Sequence, residues 1–133
     1  MEWEYLLYAF IAWVIWKLFI SKKFFNKPLG YEGELKDNKK HGKGTYIWDS
    51  GNKYEGEWLD DQRHGKGIFT WADGDKYEGD WFEGKRTGEG KFTSISGHIY
   101  EGGYKESKKH GKGTYTWPEG DKYEGEWDEN NKH

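Results

Sequence analysis

Residues 54–76 read YEGEWLDDQRHGKGIFTWADGDK, and Tyr77 then opens Tyr-Glu-Gly again. The same opening falls at Tyr31, Tyr54, Tyr77, Tyr100 and Tyr123, always 23 residues apart. The chain beyond residue 30 therefore divides into units 31–53, 54–76, 77–99 and 100–122, with a partial unit 123–133. A unit this short cannot enclose a core alone, so the period predicts a stacked array in which each unit buries its neighbour.

Within residues 54–76 the pattern is period two. Tyr54, Gly56 and Trp58 alternate with Glu55, Glu57 and Leu59; Gly65, Gly67, Phe69 and Trp71 alternate with Lys66, Ile68 and Thr70. Alternation of this kind is the mark of strands with one aromatic and one charged face. Asp60–His64 is expected to turn between the two strands, and Asp73-Gly74 to turn into the next unit. The result is a β-meander of hairpins. Glycine on the aromatic face leaves space over which a cross-strand ring can lie, so the tyrosine-glycine-tryptophan row reads as the core rather than a ligand platform.

Composition agrees with a thin sheet. Of the 133 residues, 33% are hydrophobic, yet aromatics make up 20% and glycines number 20. The chain has no cysteine, which excludes disulfides, thiolate metal sites and cysteine nucleophiles. The net charge of −3 is uneven: residues 1–30 carry +2 and residues 31–133 carry −5. An acidic array is unsuited to nucleic acid, which needs a basic face.

The first thirty residues differ in kind. Tyr5–Ile20 reads YLLYAFIAWVIWKLFI, interrupted only by Lys17. A helix of that length is roughly 24 Å long, against about 30 Å for a bilayer core. With snorkelling of Lys17 and interfacial aromatics, the run is expected to be a transmembrane helix anchored by Tyr5, Leu6, Trp13, Trp16 and Lys17. Lys22, Lys23 and Lys27 follow it, which by the positive-inside bias assigns the array to the cytosolic or mitochondrial matrix side. The expected organisation is an anchor helix with a basic flank over 1–27, a linker over 28–30 and the array over 31–133. Alternatively, the helix fills an apolar groove of a partner.

No constellation suggests catalysis or a cofactor. His41, His64, His110 and His133 share a register, but equivalent atoms two strands apart are ~9–10 Å from each other, too far to share one zinc. Gly-Lys-Gly at 42–44, 65–67 and 111–113 lacks the spacing and the following helix of a phosphate loop. Lys43, Lys66 and Lys112, with Lys39, Arg63 and Lys108 near the turns, are candidates for contact with anionic lipid or a partner. The competing reading pairs the three strand lysines with Glu32, Glu55, Glu78 and Glu101 across strands. Carboxylates repeat as rows, with no pair set in an apolar pocket as acid–base chemistry requires.

The Tyr-x-Gly-x-Trp opening, followed some residues later by Gly-x-Gly at this period, resembles the MORN (membrane occupation and recognition nexus) repeat. The resemblance covers residues 31–133. It implies a single-layer, twisted antiparallel sheet, a scaffolding role among proteins or near membranes with variable phospholipid contact, and no catalysis. Departures fall at Leu35, Thr87, Glu89, Ser94 and Tyr104; those near Ser94 are expected to mark a bend or a contact. The last strand, with Tyr123 and an incompletely covered Trp127, is a candidate edge for docking. The expected function is a membrane-anchored, non-enzymatic scaffold for protein assembly, as an accessory subunit of a larger membrane complex. The alternative is a phosphoinositide-binding tether.

Overall fold

The computed structural model describes residues 2–25 and 30–132. Helix α1 (Glu2–Phe25) precedes ten strands: β1 (Gly30–Lys36), β2 (Lys39–Ile47), β3 (Lys53–Leu59), β4 (Gln62–Thr70), β5 (Lys76–Phe82), β6 (Lys85–Thr93), β7 (Ile99–Lys105), β8 (Lys108–Thr116), β9 (Lys122–Asp128) and β10 (Asn131–Lys132). The strands form one antiparallel sheet in chain order, as the alternation predicts. Pro28 and Leu29 of the expected linker lie outside the described residues, and Gly30 already belongs to β1.

Each hairpin closes on two residues with positive φ: Asp37-Asn38, Asp60-Asp61, Glu83-Gly84, Glu106-Ser107 and Glu129-Asn130. Two consecutive left-handed residues make a type I′ turn, whose twist suits paired strands. The expected five-residue turn Asp60–His64 is thus too long. Gln62, Arg63 and His64 are strand residues, and this decides which way Arg63 points. The longer links behave as the sequence suggests: in Trp71–Asp75, the Gly74 amide donates to Trp71 O at 3.0 Å, and Gly74 adopts φ 102°.

The core lies on one face of the sheet and is entirely aromatic among the described residues: Tyr54, Trp58, Phe69, Tyr77, Trp81, Tyr100, Tyr104 and Trp127. A chain of edge-to-face pairs crosses the array. Tyr54 meets Trp58 at 5.0 Å and Trp81 at 5.3 Å; Tyr77 meets Trp81 at 5.2 Å and Tyr104 at 5.1 Å; Tyr100 meets Tyr104 at 5.2 Å and Trp127 at 5.3 Å. Edge-to-face contact sets the positive ring edge against a negative face. Each tryptophan of a first strand therefore fastens its own repeat to the one before. Its indole N–H donates back across the boundary, Trp58 to Gly44 O at 3.0 Å, Trp81 to Gly67 O at 3.1 Å and Trp127 to Gly113 O at 3.1 Å.

Helix α1 overturns the expected membrane placement. Among the described residues no helix is long and apolar enough to cross a membrane. Only Tyr5–Trp16 is free of charge, between Glu4 and Lys17. Those 12 residues reach about 18 Å along a helix, far short of a bilayer core, and four of them are the amphipathic Tyr5, Tyr8, Trp13 and Trp16. A transmembrane helix, and with it the single-pass location and sidedness, is therefore not supported. The proposed anchor residues Tyr5, Leu6, Trp13 and Trp16 are all exposed. Lys17 folds back over the Trp13 ring at 4.5 Å.

Candidate functional site: a glycine-floored trough

One row of glycines runs across nine strands in register: Gly33, Gly44, Gly56, Gly67, Gly79, Gly90, Gly102, Gly113 and Gly125. On the aromatic face this row is roofed by tyrosines. The Tyr54 hydroxyl passes over it and donates to Glu57 O at 2.9 Å; Tyr77 and Tyr100 do the same to Asp80 O at 3.0 Å and Gly103 O at 2.9 Å. A Cβ at Gly67 would lie 2.2 Å from the Tyr54 hydroxyl, so the roof requires glycine there.

On the other face the row is the floor of a trough. One wall is the cross-strand row Glu32, Thr45, Glu55, Ile68, Glu78, Lys91, Glu101, Thr114 and Glu124. The other carries Lys43 opposite Glu57, Lys66 opposite Asp80, Glu89 opposite Gly103 and Lys112 opposite Glu126. Three concavities of about 600, 630 and 470 Å³ follow one another along it. Their lining holds Glu32, Glu55, Glu57, Glu78, Glu89, Glu101, Glu124 and Glu126 against Lys43, Lys66, Lys91 and Lys112, so it is net acidic. Farther out, Lys53 and Lys76 reach Glu55 and Glu78 at 3.1 and 3.8 Å.

The second wall is built by β-bulges. Glu34 Oε2 accepts from the Lys43 amide at 3.3 Å, Glu57 Oε2 from the Lys66 amide at 3.2 Å and Asp80 Oδ2 from the Glu89 amide at 3.0 Å. Asp80 also accepts from the Lys66 ammonium. The hydrogen bonds from Lys66 and the Glu89 amide outweigh burial and hold its carboxyl below the usual range. In the fourth repeat Gly103 stands in that register, and the space beside Gly111 is open.

The six candidate cations separate into three groups. Lys43, Lys66 and Lys112 stand in the trough wall, interleaved with Glu57, Asp80 and Glu126 rather than with the Glu32 row. Lys39 and Lys108 are exposed at the starts of β2 and β8. Arg63 lies on the opposite, aromatic face: its guanidinium is 4.5 Å from the Trp81 ring and 5.3 Å from Phe69, and Nη2 donates to Gly84 O at 2.7 Å.

Arg63 belongs to a row, Lys40, Arg63, Arg86, Lys109 and Lys132, whose first four members the sequence suggests as turn cations joining the polar-face lysines and which the structure instead lays on the aromatic face. Lys40 covers Tyr46 and Trp58 at 5.0 and 5.3 Å, Arg86 covers Tyr104 at 5.3 Å, Lys109 covers Tyr115 and Trp127 at 4.9 and 5.0 Å, and Lys132 covers Trp117 at 4.5 Å. Cations over rings are attracted by the ring quadrupole. Here they also supply the outer cover that a second layer supplies in a sandwich. Burial, with Arg86 adding to it, pushes the Lys109 ammonium below its ordinary pKa. The 23-residue spacing of these cations was the available signal.

Trp127, expected to be incompletely covered, is only 5% exposed. Tyr100, Tyr115 and Lys109 of the fourth repeat enclose it, and Tyr123 meets it edge-to-face at 5.3 Å. Among the described residues β10 joins β9 only through Asn131 opposite Asp128 and Lys132 opposite Trp127.

No curated protein matches the chain. The MORN repeat profile matches residues 31–53, 54–76, 77–99, 100–122 and 123–133, the same units that the tyrosine period delimits. Such repeats mediate protein or lipid interactions. With the glycine row and the tyrosine roof repeated across all five matched segments, the chain belongs to the MORN repeat family.

Proposed function

We propose that the chain is a non-catalytic scaffold on which protein partners assemble, with the trough as the main contact face. The trough carries this reading. Its floor has no side chains, its length suits an extended segment, and its carboxylate excess opposes an anionic headgroup. Helix α1 supports the same reading. Trp3, Tyr5, Leu6, Leu7, Tyr8 and Phe10 are all exposed, and a helix apolar on every side is one that another body covers.

The lipid-tether alternative rests on the lysines. Those of the strands alternate with acids, which leaves the exposed turn row Lys39, Lys85 and Lys108 as the better lipid contact, and there Lys85 is paired with Glu106. Two charge reversals separate the readings in the full chain, purified with what accompanies it in mild detergent. Glu55→Lys/Glu78→Lys/Glu101→Lys is expected to release the protein partner, and Lys39→Glu/Lys85→Glu/Lys108→Glu to retain it. Partner retention by the first variant, together with lost binding to phosphatidylserine vesicles by the second, would establish the tether instead.

A further inference from the structure

The third repeat departs from its sisters in charge, not in backbone. The Ser94 amide donates to His98 O at 2.8 Å as the Trp71 amide does to Asp75 O at 2.9 Å, so the turn after Ser94 keeps the form of its sister. In the second wall of the trough Lys43, Lys66 and Lys112 stand opposite Glu57, Asp80 and Glu126, but in the same register Glu89 stands opposite Gly103. Outside the first wall Lys53 and Lys76 reach Glu55 and Glu78 at 3.1 and 3.8 Å, but Ile99 holds the corresponding position before Glu101. Two cations that the repeat pattern supplies are thus missing at one place.

Two carboxylates are left without a cation. Among the described residues neither Glu89 nor Glu101 forms an ion pair, although Lys91 stands opposite Glu101 in the ladder. Gly90 pairs with Gly102, so Glu89 and Glu101 lie diagonally across one rung of the glycine floor, about 7–8 Å apart between α-carbons. Two of the concavities, of about 600 and 630 Å³, meet at this rung, since Glu89 and Glu101 line both. The gap opposite Glu89 is built into the bulge, because a Cβ at Gly103 would lie 2.1 Å from His110 O.

We propose that this rung takes an arginine side chain from a protein segment lying extended in the trough. The inference rests on the trough as the protein-contact face and names what that face selects. Charge identifies the occupant as a cation, and the placement of the two acids on opposite walls identifies which one. A guanidinium carries donors on several edges of one rigid plane and can bond both carboxylates at once, whereas an ammonium is a point charge. Farther along the trough Glu55, Glu78 and Asp80 already have lysines of their own chain, so the incoming arginine has one preferred register.

The test titrates acetyl-Gly-Gly-Arg-Gly-Gly-amide into the full chain at low ionic strength, where exposed charges are least screened, and reads amide NMR. The same peptide with lysine or glutamine at its centre is the comparison. The expected result is saturable shifts centred on residues 89–91 and 101–103, with a dissociation constant on the order of 1 mM, weaker binding of the lysine peptide and at least tenfold weaker binding of the glutamine peptide. Glu89 and Glu101 are exposed, so Glu89→Gln/Glu101→Gln is expected to keep the fold and to remove the preference for arginine. Ile99→Lys, which returns the missing cation beside Glu101, is expected to weaken the arginine peptide severalfold. Equal binding of the three peptides, or a preference that survives Glu89→Gln/Glu101→Gln, would overturn the arginine site and leave the trough standing as a contact face. No saturable shifts, or shifts centred on Glu55 and Glu78, would also overturn it, while partner release by Glu55→Lys/Glu78→Lys/Glu101→Lys decides the trough separately.

Discussion

At the scale of the residue, the array depends on tyrosines that have nowhere else to go. Tyr54, Tyr77 and Tyr100 are fully buried, and each is held at both ends, by its ring on an indole or phenol and by its hydroxyl on a main-chain oxygen. Gly67→Ala would set a methyl 2.2 Å from the Tyr54 hydroxyl, so the ring must leave its place. The expected loss is about 3 kcal/mol by urea denaturation. Gly111→Ala meets no atom within 4 Å and confronts only φ 72°, which costs about 1 kcal/mol. A loss at Gly67 no larger than that at Gly111 would show that the Tyr54 roof yields and does not require glycine there. Burial also raises the phenol pKa values of Tyr54, Tyr77, Tyr100 and Tyr104, Tyr100 to about 12. A folded state that holds its proton longer than the unfolded state keeps this stability below the unfolded pKa of 10 and loses it as pH rises above. Lys109, with its pKa lowered by burial, works in the opposite direction as pH approaches 10.5, and the raised tyrosines outnumber it. Tm is therefore expected to fall from about pH 10 upward, with phenolate absorbance of these rings appearing together with unfolding. Phenolate appearing in the intact fold would refute this.

At the scale of the element, each hairpin turn grips the repeat before it. The Asp61 amide donates to Lys40 O at 3.1 Å while Asp61 Oδ1 accepts from the Lys40 amide at 2.8 Å. Ser107 repeats the exchange with Arg86, and Asn130 with Lys109. Asp61→Ala removes one arm of such a clasp. It is expected to lower the denaturation midpoint, with Asp61→Asn recovering most of the loss because the acceptor geometry survives. No recovery would point to the Lys40–Asp61 ion pair at 3.5 Å instead. The turns also explain what the sequence made legible. Alternation through Tyr54, Gly56 and Trp58 fixes the strand and its faces without ambiguity, since every second residue is a ring or a glycine. Gln62-Arg63-His64 is polar and follows two aspartates, so it resembles loop; only the left-handed conformations of Asp60 and Asp61 make the turn short and bring Arg63 onto the rings. A cation in a strand normally signals a solvated face. In a sheet of one layer the outer side of the core is itself the surface, and a guanidinium lying on it serves as cover. Helix α1 was misjudged for a related reason: Tyr and Trp counted as apolar length, although each carries a polar atom, and the charge-free run between Glu4 and Lys17 is too short.

At the scale of the whole molecule, each strand pairs only with its neighbours in sequence. Stability is then a sum over repeats and the boundaries between them, and the weakest boundary decides where the array opens. Three boundaries carry an indole that donates across the strand pair, from Trp58, Trp81 and Trp127. The boundary between the third and fourth repeats has Tyr104 in that register, a phenol with no indole N–H to offer Gly90 O, and Ser94 stands beside it where the other full repeats place a tryptophan. Native-state hydrogen exchange is therefore expected to find β6 and β7 opening more readily than β3 to β5, although both lie inside the array. Tyr104→Trp is expected to restore the missing hydrogen bond and ring area, adding about 1 kcal/mol. That gain should appear as slower exchange in β6 and β7, with little change in β1 to β3. Uniform slowing from β1 to β9 would instead mean that the array opens as one cooperative unit, and the third boundary would then not be a seam at which a partner can act on half of the sheet.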